Sequence, residues 1–204
     1  MQKVITISRQ YGSGGREIGQ RLAEKLSVPF YDNELITRAA KESGFSENAF
    51  ETAEDKATNS FLYSIAMGVS AYGSHDFSGA TLSIGDRIFL AQSDVIRKVA
   101  DEGPCVIVGR CADYVLKERE NVVNLFIRAG LDYRIKRAVE EYQVPVAKAA
   151  ETVQKNDKRR ANYYNYHTCE KWDNLNNYDF VIRSDFGGID QSVKTILMFL
   201  GELS

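Results

Sequence analysis

The sequence predicts an α/β fold whose parallel sheet is covered by helices on both faces. The chain opens as strand, glycine loop, helix and strand within roughly thirty residues, the unit from which parallel sheets are built. Short apolar runs at 4–8, 28–31, 105–108, 121–127 and 178–182 are separated by helical patterns. Unbroken apolar runs are what strands buried on both faces require.

Each element has its own justification. After the strand at 4–8, a loop holds Gly12, Gly14 and Gly15, and a helix begins near Arg16 with Ile18, Leu22 and Leu26 on one face. The second strand, 28–31, closes at Asp32 and Asn33, and 34–40 reads as helix. Residues 59–83 interleave Ser, Gly and Ala with Phe61, Tyr63, Tyr72 and Phe77, which predicts loops or short helices outside the sheet. The spacing of Ile88, Ala91, Val95 and Val99 predicts a helix over 84–100. Pro104 leads into the strand at 105–108, which ends at Gly109 and Arg110. Beyond the strand at 121–127, a charged helix over 132–141 breaks near Pro145, and 146–160 starts as a helix and becomes strongly charged. The strand at 178–182 and an amphipathic helix over 189–200 complete the pattern.

Composition narrows the classes of function. The 204 residues, 44% apolar and 26% charged, suit one globular domain over 1–204. Lys and Arg number 26 against 28 Asp and Glu, a net charge of -2, so nothing calls for a nucleic-acid polymer or a membrane surface as partner. No run approaches the roughly 18 apolar residues of a membrane span, and Lys3 to Ile7 lacks the features of a signal peptide; a cytoplasmic protein is expected. Cys105, Cys111 and Cys169 form no CxxC pair and read as reduced thiols, and with His75 and His167 far apart no zinc site is expected. Neither histidine belongs to a Ser–His–acid motif.

The glycine loop is the most informative segment. Glycines let the backbone turn tightly beside an anion, and the helix that follows offers unpaired N–H groups. A phosphate chain can sit against Gly12, Ser13, Gly14, Gly15 and Arg16, and a structural turn is the alternative. The dinucleotide fingerprint fits badly: Gly19 follows at the wrong spacing, and Asp32 is the nearest acidic residue for a ribose. The phosphate-loop pattern GxxxxGK[ST] is also unmatched. With Gly14 as its last glycine, Arg9 holds the first-glycine position, Gly15 the lysine position and Arg16 the hydroxyl position. With Gly15 as its last glycine, the corresponding residues are Gln10, Arg16 and Glu17. The second register brings Arg16 to the β- and γ-phosphates and leaves Glu17 to meet a metal ion, directly or through water.

Ligands of open parallel sheets collect beyond the carboxyl ends of strands. Asp32, Arg110 and Arg128 follow the second, third and fourth runs there, and guanidinium forks suit phosphate oxygens. A second cluster runs from Asp157 through Lys158, Arg159 and Arg160 to Tyr163, Tyr164 and Tyr166. It reads either as a solvated face or as a lid that brings arginines to a transferring phosphoryl group. Arg134 and Arg137 stand three apart on one helical face before it.

Five blocks, in this order, give the chain a resemblance to the cytidylate kinase-like family: ITISRQYGSGGREIGQRLAEKL, PFYDNELI, VIVGRCADYVL, LFIRA and KNDKRRANYYNYHT. The resemblance covers most of the length. It implies a P-loop NTPase-like, three-layer α/β fold with a five-stranded parallel sheet and a helical lid at 145–168, with 59–83 as an acceptor-binding insertion. It further implies transfer of the γ-phosphoryl group of ATP, with Mg²⁺, to CMP or dCMP. By that resemblance Gly12, Ser13, Gly14, Gly15, Arg16 and Glu17 attend the donor, and Asp32, Arg110 and Arg128 the acceptor. Arg16, Arg134, Arg137, Asp157, Arg159 and Arg160 then belong to the catalytic set. Arg128 stands where cytidylate kinases commonly have Asp, and the loop lacks both the lysine and the hydroxyl of the usual pattern. A nucleotide-binding protein without turnover and a phosphotransferase for another small acceptor therefore remain alternatives.

Overall fold

The computed structural model describes residues 3–42 and 83–201. The expected insertion at 59–83 lies outside the described residues except for Ser83. Strand β1 (Val4–Arg9) runs through the glycine loop into α1 (Gly15–Leu26), followed by β2 (Phe30–Tyr31) and α2 (Asn33–Glu42). Helix α3 (Ile84–Glu102), β3 (Val106–Val108), the short α4 (Ala112–Val115), β4 (Val122–Arg128), α5 (Leu131–Glu140) and α6 (Val146–Thr168) come next. The chain ends in β5 (Phe180–Arg183) and α7 (Gly188–Phe199), with 3₁₀ turns at Leu175–Asn177 and Ser184–Phe186.

The five strands form one parallel sheet in the order β2-β3-β1-β4-β5. Alternate side chains feed opposite layers. On one face Ile5, Ile7, Val108, Leu125 and Ile127 meet Ile18 and Leu22 of α1 and Val193 and Ile196 of α7. On the other, Val4 and Ile107 pack with Ile36 of α2, Ile96 and Val99 of α3, and Leu116 after α4. Farther along that face Phe126 of β4 meets Tyr164 of α6, Trp172 and Tyr178 in an aromatic cluster. The result is the three-layer arrangement expected, with β1 at its centre.

Two expected elements differ in extent. The second strand keeps only two residues, because Pro29 and the turn after Ser27 (φ 54) precede it. Helix α6 continues through the charged stretch to Thr168, anchored by buried Ala149, Val153 and Tyr164 on a single face. No described helix is long and apolar enough to cross a membrane.

Candidate functional site

Strand order reverses about β1: its chain successor lies on the β3 side, while β4 pairs with its other edge. Such a switch point opens a crevice beyond the strand ends. The glycine loop sits there. Gly12 has φ 78, and a Cβ on it would fall 2.5 Å from the Arg134 carbonyl oxygen, so only glycine fits. Gly14, with φ 77, stands at the N-terminus of α1, whose first-turn amides have no acceptor within the helix.

The loop is braced from three directions. Ser13 is fully buried; its hydroxyl donates to the Gln10 carbonyl at 2.8 Å, and its own carbonyl accepts from the Ser184 hydroxyl at 2.7 Å. The Ala129 amide donates to Gln10 Oε1 at 3.1 Å. The Tyr11 amide donates to Asp157 Oδ1 at 2.7 Å, and Arg134 donates to the Tyr11 carbonyl at 3.3 Å while pairing with Asp157.

Beside the loop lies a cavity of about 140 Å³ lined by Arg9, Arg110, Arg159 and Arg160, with Asn33, Gly109, Tyr163, Tyr164 and Trp172. Among the described residues no carboxylate lines it. Arg9 is partly buried as a residue, yet its Nε is enclosed and has no hydrogen-bond partner; the same holds for Asn33 Oδ1. Arg160 donates to the Arg9 carbonyl at 2.9 Å and lies over the Tyr11 ring, while Arg110 lies 5.1 Å from the Tyr163 ring centre. Burial, followed by the charges of Arg160 and Arg110, pushes the Arg9 pKa well below its ordinary value. Burial also lowers that of Arg160, with Asp157 opposing and Arg159 adding to the fall. Asp32 and Asp157 offset this crowding only in part, and gathered guanidinium groups of this kind suit an anion.

The backbone holds this geometry under strain. Gly109, Arg110 and Cys111 have φ values of 85, 56 and 55, two of them on residues that rarely adopt the left-handed region. Strain of this kind persists where the surroundings over-determine it, and it concentrates at functional sites.

The structure brings Arg110, Arg159 and Arg160 together at the cavity, with Gly12, Ser13, Gly14 and Gly15 in the adjoining loop. It does not gather the others there. Arg16, expected at the phosphates, donates to Asp32 through both Nε and Nη2 at 2.7 Å. Asp32 in turn caps α2, accepting from the amides of Glu34 and Leu35. Burial works to raise its pKa, but the Leu35 amide and Arg16 outweigh that and hold it below the ordinary value. Glu17 is engaged by Arg21 and Arg137, one to each oxygen. Arg134 and Asp157 hold the loop backbone, and Arg128 is exposed at the end of β4, outside the cavity lining. Arg9 is the residue that sequence reasoning missed. The rule that singled out the residues after the second, third and fourth strands selects it after the first.

Among the described residues no group of three His, Cys, Asp or Glu is arranged to hold a metal ion. Glu17, Asp32 and Asp157, close to the loop in sequence or by contact, are each paired with an arginine.

The model of the cytidylate kinase-like family matches residues 4–185. No curated protein matches the chain. Among solved structures, an uncharacterized protein from Eubacterium ventriosum is 26% identical, with a TM-score of 0.74 over 98% of this chain and 99% of that one. A shikimate kinase from Bacteroides thetaiotaomicron superposes with a TM-score of 0.53 at 13% identity, over 98% of this chain and 99% of that one. A gluconokinase from Sinorhizobium meliloti gives 0.51 at 13% identity, over 98% and 93%. The fold is thus one shared with P-loop kinases.

Proposed function

Because the chain belongs to the cytidylate kinase-like family, we propose that it transfers the γ-phosphoryl group of ATP to a nucleoside monophosphate, CMP or dCMP foremost. The observation that carries this reading is the four-arginine cavity beside the glycine loop. Two phosphates must approach each other for the reaction, and their repulsion is the main electrostatic obstacle. A pocket that gathers cations before any ligand arrives offsets it without reorganisation at the moment of reaction.

In this reading the donor phosphates lie along Gly12, Ser13, Gly14 and Gly15, at the positive end of α1. The acceptor phosphate lies in the cavity against Arg110. One of its oxygens attacks the γ-phosphorus, the bond from that phosphorus to the bridging oxygen of ADP breaks, and the nucleoside diphosphate and ADP leave. Arg159 and Arg160 stabilise the charge that develops. Arg134 and Asp157 act as positioning residues by holding the Tyr11 backbone. Asp32 and Arg16 fix the start of α2, where Asn33 enters the cavity wall. Mg²⁺, if bound with the nucleotide, would neutralise phosphate charge.

The occupied carboxylates and the missing loop lysine favour a second reading, nucleotide binding without turnover. One assay separates the two. ADP release is followed with ATP and Mg²⁺ over CMP, dCMP, UMP and other monophosphates, with an acceptor-free control. Release that depends on the acceptor, fastest with CMP or dCMP, is expected. ATP binding with no release for any acceptor moves the function to the second reading.

A further inference from the structure

When the phosphate-loop pattern is laid on the chain with Gly14 as its last glycine, two departures appear: Arg9 where the first glycine belongs, and Gly15 where lysine belongs. The structure makes them one change. A Cβ on Gly15 would fall 2.5 Å from Arg9 Cβ and 2.9 Å from its Cγ. The Arg9 stem therefore fills the space through which a side chain at position 15 would leave the helix.

From there the side chain continues to a second glycine. A Cβ on Gly109 would collide with the Arg9 guanidinium at Nη1 and crowd its Cζ at 3.2 Å. The chain clears a path for Arg9 at both ends, and the path leads into the anion cavity. At its end the Nε is enclosed without a hydrogen-bond partner. Arg160 fastens the Arg9 carbonyl at 2.9 Å, so the backbone from which the side chain departs is also held. The other residue able to stand in for lysine, Arg16, is bound to Asp32 and does not line the cavity.

We propose that Arg9 supplies the cation of the missing phosphate-loop lysine, reaching the donor phosphates from the end of β1 rather than from the first turn of α1. This rests on the phosphoryl-transfer reading above. A guanidinium differs from an ammonium in holding two phosphate oxygens at once, so one side chain can bridge the donor phosphates and the neighbouring acceptor phosphate. The exchange also explains why position 15 is glycine although a helix start does not require one.

The test relocates the charge. In Arg9→Met the stem stays and the charge goes; turnover should fall roughly 10²- to 10³-fold, as for removal of one preorganised donor. ATP affinity, measured by calorimetry, should fall at least about tenfold. The same substitution should raise the melting temperature of the ligand-free protein, because it relieves the crowding with Arg110 and Arg160; a merely structural arginine would lower it. Gly15→Lys alone should be as impaired as Arg9→Gly alone, and the double variant Arg9→Gly/Gly15→Lys should recover at least about tenfold over either in ATP binding. ATP affinity in Arg9→Met within about threefold of the unsubstituted protein, or a folded double variant no better than the singles, overturns the proposal. If the unsubstituted protein releases no ADP with any acceptor, the phosphoryl-transfer reading fails, and the ATP-binding series still decides the role of Arg9.

Discussion

Asp113 carries the sharpest test at the scale of one residue. It is buried at the start of α4 and accepts a 2.8 Å hydrogen bond from the Tyr164 hydroxyl beneath the cavity. Burial raises its pKa to about 6, from 3.8, although Tyr164 and the helix amides pull the other way. Between those values the folded chain binds more protons than the unfolded one, so stability falls as pH rises through this window. The contribution is fully present below pH 3.8 and lost above about pH 6; a shift of that size is worth on the order of 3 kcal/mol. Asn keeps an acceptor for Tyr164 and cannot ionise. Asp113→Asn should therefore match the unsubstituted protein at pH 4 in urea unfolding and exceed it by up to about 3 kcal/mol at pH 7. Equal stabilities at both pH values would mean that the carboxyl is not held in its neutral form. Asp32 acts in the opposite sense: its depressed pKa gives stability above its ordinary value that is lost as pH falls.

At the scale of elements, α6 and the glycine loop are joined by the Arg134–Asp157 pair, whose side chains are 10% and 18% exposed. Breaking a buried pair strands a charge, so Asp157→Ala should cost about 3 kcal/mol or more, whereas Arg134→Met/Asp157→Leu should cost less despite removing both charges. Denaturant midpoints for the two single variants and the double check this; additive losses would show that the two residues act separately. The same pair marks where reading from sequence stops. The five strands were legible because burial on both faces leaves continuous apolar runs, and the helices because their apolar faces recur at helical spacing. Four-residue α4 was not, since it is too short to show a period. Asp157, Arg159 and Arg160 looked like one cluster, and the helix gives each its own partner: Asp157 accepts from the Tyr11 amide, Arg160 donates to the Arg9 carbonyl, and exposed Arg159 joins Arg160 in the cavity wall. Arg134 and Arg137, expected to share a task, serve the Tyr11 carbonyl and Glu17 respectively. Arg110 was legible at a strand end. The path of Arg9 between Gly15 and Gly109 was not, because it depends on a contact between strands distant in sequence.

Over the whole molecule, charge is nearly balanced, at a net -2, yet arginines converge on one cavity whose described lining holds no carboxylate. The imbalance is local, and it costs stability while the cavity holds no anion. A ligand that binds only the folded chain stabilises it by about 2.7 kcal/mol at a hundred times its dissociation constant. For a chain of this length that corresponds to a rise in melting temperature of about 5–10 °C. Pyrophosphate is a suitable probe, since it carries the charge of a phosphate chain without a base. Its effect should exceed that of sodium chloride at matched ionic strength, because screening acts on all charges and is weak for enclosed ones, whereas a multivalent anion meets several guanidinium forks directly. Arg110→Ala and Arg160→Ala should each shrink the pyrophosphate shift and leave the chloride response unchanged. Identical shifts for the two salts would show that the arginines respond only to ionic strength, and the cavity would then lose its standing as a phosphate site.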